Sequence, residues 1–173
     1  MKNIIQALKE SIDKESWYSS LFILVTIPDI CSKSEFPSLS TNKRYPKWIN
    51  DYLHKVDTAY SKYICGYDFY ALRCSLLHEG HSDIEGQKAF RRIQHIRFLE
   101  KGSHLISISN SYVGSDLDGK NILTLSVKDL AIDMLEAYQL WFNSIKEDKT
   151  ILERLEFGVE IKKELMIGGI YIS

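Results

Sequence analysis

Hydrophobic positions recur at helical spacing from the first residues. Ile4, Ile5, Leu8 and Ile12 share one face of residues 1–14, because positions three and four apart stack on a 3.6-residue turn. Ser16 is placed to cap a second helix running from Trp17 toward Ile27, apolar nearly all round and so suited to the centre of a bundle. Pro28 kinks or ends that helix, since proline lacks a donor and clashes with the preceding turn, and Asp29 follows at the break. Residues 32–42 are rich in turn formers and read as a loop. Pro46 then marks a helix start, with Trp48, Ile49, Tyr52, Leu53 and Val56 on one apolar face. Gly66 separates this region from a further helix, for which Asp68 is the expected N-cap and Gly80 the terminator.

The period then changes. Ile96 and Phe98, Leu105 or Ile106 with Ile108, and Leu123, Leu125 and Val127 alternate with polar residues. A period of two predicts a small three-stranded antiparallel meander over about 93–127, with turns at Lys101-Gly102-Ser103 and around 116–119. Ser126, with Asp129 three residues on, opens a long helix striped by Leu130, Met134, Ala137, Tyr138, Trp141 and Ile145. Thr150 and Glu153 repeat the capping pattern for a final helix to about Leu165, and the apolar tail 166–173 is left to pair as a strand or to cover a partner. The expected fold is mainly α with a small antiparallel β insertion, an α+β class. It forms a single domain over 1–173, helical over 1–85, β over about 93–127, with C-terminal helices over 127–165.

Composition narrows the function classes. A chain of 173 residues can bury a core without disulfides or metals, and 45% hydrophobic with 12% aromatic residues excludes a disordered chain. A net charge of -1 supplies no global field for nucleic acid, so a polyanion would need a local patch. The basic clusters at Lys43, Arg44 and Lys47 and at Arg91, Arg92 and Arg97 read first as solvated surface. Cys31, Cys65 and Cys74 are odd in number and form no Cys-x-x-Cys pair, which points to reduced thiols and a cytoplasmic location. No signal-like N-terminus is read, and the apolar run from Leu21 to Ile27 is far short of the ~20 residues of a membrane span, so no membrane association is expected.

The candidate chemistry lies between Arg73 and His78. With Phe69 at zero and about 100° per residue, Leu72, Leu76 and Leu77 fall near 300°, 340° and 80°, and Arg73 near 40°, inside the apolar stripe. A guanidinium cannot shed its charge there, so it needs a carboxylate, a phosphate or water. His78 falls near 180°, so about 140° separates the pair on a straight helix. A second protomer, or an unwound helix end, is required to bring them together.

The string Tyr70-Ala71-Leu72-Arg73-Cys74-Ser75-Leu76-Leu77-His78-Glu79-Gly80 resembles the HEPN superfamily signature, an arginine followed after four to six residues by a histidine. It is similar to small uncharacterised bacterial proteins with that signature. The resemblance covers a dozen residues and the helical layout of about two thirds of the chain. Cys74 stands where many active members carry a small polar residue, and the β insertion lies outside the minimal helical fold.

That resemblance implies a homodimer in which two such helices form one composite, metal-independent endoribonuclease site with no cofactor, or an RNA-binding relative of it. Arg73 would hold the phosphate while His78 moved protons at the ribose 2′-hydroxyl or the leaving oxygen. An RNA substrate, a toxin or phage-defence role and an antitoxin partner follow from the same likeness. Asp29 is a natural counter-ion for Arg73, and Arg44 beside Tyr45 could hold a phosphate or stack on a base. Tyr70 and Glu79, within the signature string, complete the supporting set.

Two other readings use the same residues. In a non-enzymatic helical interaction or scaffold protein, Arg73 pairs with Asp29, His78 is a helix C-terminal cation, and the apolar tail recruits a partner. His78 and His81 are spaced more tightly than a His-Glu-x-x-His zinc helix and Gly80 breaks the helix between them, so no metal site is predicted. Cys74 with His78 four residues on could activate a thiolate, although a free cysteine is more often a small buried apolar group.

Overall fold

Helices dominate, as the 3.6-residue period predicts, in a computed structural model that describes residues 1–89, 91, 93–102, 105–108, 121–156, 165–167 and 170–172. The first half runs α1 (Lys2–Asp13), α2 (Trp17–Leu24), α3 (Ile27–Glu35) and α4 (Thr41–Trp48) into a π-helical segment (Ile49–Leu53). After it come α5 (His54–Val56), α6 (Thr58–Tyr63), α7 (Gly66–Cys74) and a second π-helical segment (Ser75–Glu79). Strands β1 (His95–Leu99), β2 (Leu105–Ile108) and β3 (Asn121–Ser126) precede α8 (Val127–Ile145) and α9 (Lys149–Glu156). A hairpin of β4 (Leu165–Ile167) and β5 (Ile170–Ile172) follows.

Several boundaries differ from the sequence expectation for local reasons. Pro28 opens α3 instead of ending a helix, because in a first turn its missing N–H has no partner to lose. Most of the loop expected over 32–42 is therefore helical or immediately flanks a helix, and Asp29 sits in the first turn of α3, where the helix dipole favours a carboxylate. Pro46 lies inside α4, and the wider π-helical segment follows just beyond the lost donor.

The N-cap of α7 is Cys65 and not Asp68. The Cys65 backbone N–H donates to Asp68 Oδ2 at 3.1 Å and its thiol to the same oxygen at 3.0 Å. Asp68 is fully buried, and its Oδ1 accepts the Arg91 N–H at 2.6 Å. Ser126 caps α8 as expected, accepting the Asp129 N–H at 3.2 Å. The cap of α9 is Asp148, which takes the N–H groups of Thr150 and Ile151 at 3.0 and 3.1 Å. Leu165 begins β4, so it does not end a helix, and residues 157–164 lie outside the described set.

The mainly helical α+β class holds, but the three-stranded antiparallel meander does not. The order is β1-β3-β2, with β1 parallel and β2 antiparallel to β3. Each strand runs in the direction a meander would give it, yet β3 lies between the other two. Ile122, Leu123 and Leu125 are all buried, so β3 is covered on both faces, as a central strand should be. Ser103 and the turn expected around 116–119 lie outside the described residues.

Trp48, Ile49 and Leu53 meet Leu72, Leu130, Met134 and Trp141 in one fully buried core cluster. Helix α8 packs against α1, α2, α3 and the first π-helical segment, while α4 lies against both α3 and α7, and α9 against α3. Gly66 sets the approach of α7 to α4. A Cβ there would lie 2.8 Å from Pro46 Cα and 2.9 Å from Asn50 Oδ1, and the Gly66 N–H donates to that Oδ1 at 3.2 Å. This contact brings Arg73 of α7 opposite Arg44 of α4. Among the described residues, no helix is long and apolar enough to cross a membrane.

Candidate functional site

A cleft of about 560 Å³ lies among α3, α4, α7 and α9. Helical spacing explains which residues line it. Helix α3 contributes Asp29 and Lys33, four apart; α4 contributes Thr41 and Arg44, three apart; α7 contributes Tyr70 and Arg73, three apart. Each pair therefore shares one face of its helix. Arg154 of α9 completes the rim, its Nη1 donating to the Ser34 carbonyl at 2.8 Å.

Asp29 joins two of these helices to its own. Its Oδ1 accepts from Arg44 Nη2 at 3.0 Å and its Oδ2 from Arg73 Nη2 at 2.7 Å. The three side chains are only 11–20% exposed, so the ion pairs are shielded from water without being sealed. Burial is the largest influence and works against the charge on Arg73, but the Asp29 carboxylate and the neighbouring Cys74 together outweigh it and hold the guanidinium pKa above the ordinary arginine value. Arg44 also donates through Nη1 to Thr41 Oγ1. The Nε atoms of Arg44 and Arg73 are buried and have no hydrogen-bond partner among the described residues.

Arg73 meets His78 within the one chain. Arg73 Nη1 lies 3.1 Å from His78 Nε2, although an α-helix would part them by about 140°. The π-helical turn at Ser75–Glu79 removes the conflict. Its i→i+5 pattern stacks residues five apart, and Gly80, in the left-handed region at φ 73°, ends it. Of the two routes the sequence left open, the helix end supplies this one. A guanidinium only donates, so in this contact His78 Nε2 is the acceptor and the ring proton belongs on Nδ1.

The other expected site residues divide. Asp29, Arg44 and Tyr70 converge with Arg73 on the cleft, and His78 reaches its edge through Arg73. Tyr45 is fully buried behind it, its hydroxyl donating to the Val25 carbonyl at 3.1 Å and its ring 5.7 Å from that of Tyr70. Burial pushes the Tyr45 phenol well above its ordinary pKa; burial and the neighbouring Cys74 also raise that of Tyr70. Glu79 turns elsewhere, pairing with His81 Nε2 at 2.8 Å and accepting from Gln87 at 2.7 Å.

His81 is further held by Ser75, at 3.2 Å from its Nδ1. Among the described residues no group of three or more His, Cys, Asp or Glu is placed to hold a metal. The three cysteines are free thiols, and burial raises the pKa of Cys31 well above its ordinary value.

Sequence reasoning missed Lys33 and Arg154. Lys33 is one turn beyond Asp29, a signal hidden because 32–42 reads as loop; Arg154 reaches the cleft through tertiary packing of α9 on α3, which leaves no local mark. No protein-family model, curated protein or solved structure matches the chain.

Proposed function

We propose that this chain is an HEPN-like, metal-independent endoribonuclease, or an RNA-binding relative of one, working as a cytoplasmic homodimer. The observation that carries the reading is the 3.1 Å contact between Arg73 Nη1 and His78 Nε2 beside a cation-lined cleft. In the reaction, the ribose 2′-oxygen bonds to phosphorus as the bond to the 5′-oxygen breaks. The 2′ proton leaves through an imidazole, a proton reaches the departing 5′-oxygen, and a 2′,3′-cyclic phosphate and a 5′-hydroxyl result. His78 is the proton carrier, and Arg73 grips the phosphate oxygens as negative charge builds on them. No co-reactant is needed. Such an activity fits a toxin or phage-defence component restrained by an antitoxin.

The test is cleavage of a fluorescent RNA in EDTA. Removing a proton carrier, or a cation that stabilises charge in the transition state, takes away about 10²-fold or more of rate, so His78→Ala and Arg73→Ala are each expected to cut cleavage at least that far, with His78→Ala melting close to wild type. The shielded pairing of Asp29 with Arg44 and Arg73 favours a second reading, a non-enzymatic helical scaffold. A wild-type protein that neither cuts nor binds RNA would leave that reading standing and end the first.

A further inference from the structure

We propose that the cleft among α3, α4, α7 and α9 is a seat for a phosphate ester, which enters in competition with Asp29 and is gripped by Lys33, Arg44, Arg73 and Arg154. The inference rests on the RNA reading only in taking the ester to be that of a nucleotide.

Charge is the first argument. Among the described residues four cations face one carboxylate, leaving three positive charges around about 560 Å³. Asp29 neutralises part of Arg44 and Arg73, whereas Lys33 Nζ and Arg154 Nη1 donate to the neutral carbonyls of Pro37 and Ser34 at 3.1 and 2.8 Å. Like charges gathered from four helices repel unless an anion sits among them.

Geometry is the second. Each guanidinium holds one Asp29 oxygen through Nη2, while Nε of the same side-on fork is buried without a partner among the described residues. A carboxylate has two oxygens to divide between two forks. A terminal phosphate monoester brings three non-bridging oxygens and a second charge, so Asp29 occupies the seat incompletely.

The lining also selects for a polar, nucleotide-sized ligand. Thr26, Ser34 and Thr41 bring hydroxyls, Tyr70 offers a ring to stack on a base, and the volume lies in the range of small-molecule sites.

The experiment is fluorescence anisotropy with a labelled 2′-O-methyl hexaribonucleotide, which cannot be cleaved, carrying either a 5′-phosphate or a 5′-hydroxyl. Adenosine monophosphate and inorganic phosphate serve as competitors. The double variant Lys33→Gln/Arg154→Gln is expected to bind the hexamer at least tenfold more weakly while still unfolding in one cooperative transition well above the assay temperature. Its salt dependence should flatten by about 1.4 in log–log slope, two contacts at roughly 0.7 each. Asp29→Asn is expected to bind more tightly, and added phosphate should raise its melting temperature more than that of wild type.

Competition by the mononucleotide identifies a free nucleotide as occupant; binding of the hexamer alone identifies the RNA backbone. Hexamer affinity unchanged in the double variant, or no phosphate ester binding the wild type, overturns the proposal. His78→Ala separates it from the nuclease reading. Lost cleavage with an intact double variant would sink the cleft and keep the enzyme, while weakened binding in the double variant of a protein that never cleaves does the reverse.

Discussion

Asp29 answers to two guanidiniums, and removing it strands both. Its side chain is 16% exposed, and its partners are 11% and 20% exposed, so neither cation recovers full hydration when the acid goes. Asp29→Ala is expected to cost about 1–3 kcal/mol, less than the loss of one partner from a fully buried pair, as read from urea unfolding. Arg44→Gln should cost less, because Arg73 still neutralises the acid. The need for this pair was legible in the sequence: Arg73 falls in an apolar stripe, a trapped guanidinium requires an anion, and Asp29 stands at a proline. That the same acid also serves Arg44 was not legible, because it depends on how α3 packs against α4. Glu35 carries a separate prediction. Burial raises its pKa, against the hydrogen bonds from Tyr52 at 3.1 Å and Trp141 at 2.9 Å that favour its ionised form. The folded state thus keeps this proton to higher pH than the unfolded state, so Glu35 takes away stability as pH rises from the ordinary carboxylate range through its raised value. Glu35→Gln should flatten that decline, and melting curves across this window check it. Parallel wild-type and variant profiles would show that another group is responsible.

At the scale of elements, two glycines hold α7 and the π-helical turn after it in place for different reasons. At Gly66 the obstacle is space, since a Cβ would press on Pro46 and Asn50. At Gly80 it is conformation, since nothing lies within 4 Å of a Cβ but φ is +73°. Gly66→Ala is therefore expected to cost about 1–3 kcal/mol as an overpacked contact, and, if the proposed RNA reading holds, to loosen hexamer binding by moving α7 away from α4. Gly80→Ala should cost about 1–2 kcal/mol, the penalty of a left-handed L-residue, with Arg44 and Arg73 undisturbed. Urea midpoints and hexamer affinity measured on both variants separate the two effects. Both glycines announce themselves in the sequence as punctuation. The π-helical segment between Cys74 and Gly80 does not, because five residues of i→i+5 bonding leave the apolar spacing of Leu72, Leu76 and Leu77 looking like an ordinary helix. The assumption of 100° per residue is what placed His78 on the wrong side.

For the whole molecule, the same distinction between local and non-local information decides what was readable. Alternation located all three strands of the mixed sheet, while their order depended on which strand is covered on both faces, and adjacent Ile122 and Leu123 were the overlooked sign. Oligomeric function follows a similar logic. On a straight helix, Arg73 and His78 could serve one phosphate only across two protomers; with the π-helical turn, each chain carries its own pair at 3.1 Å. If the proposed nuclease is a homodimer that uses these pairs, each protomer supplies a complete set. Mixed dimers refolded from Arg73→Ala and His78→Ala chains would then stay inactive, because neither chain retains both groups. Recovery of a substantial fraction of wild-type cleavage on mixing would show instead that the arginine of one chain works with the histidine of the other, and that the contact within the chain is a resting arrangement. Subunit exchange followed by an RNA cleavage assay decides between the two. The expected result is no recovery, since proton transfer and phosphate binding must meet at a single phosphorus and the helix end already brings both groups together.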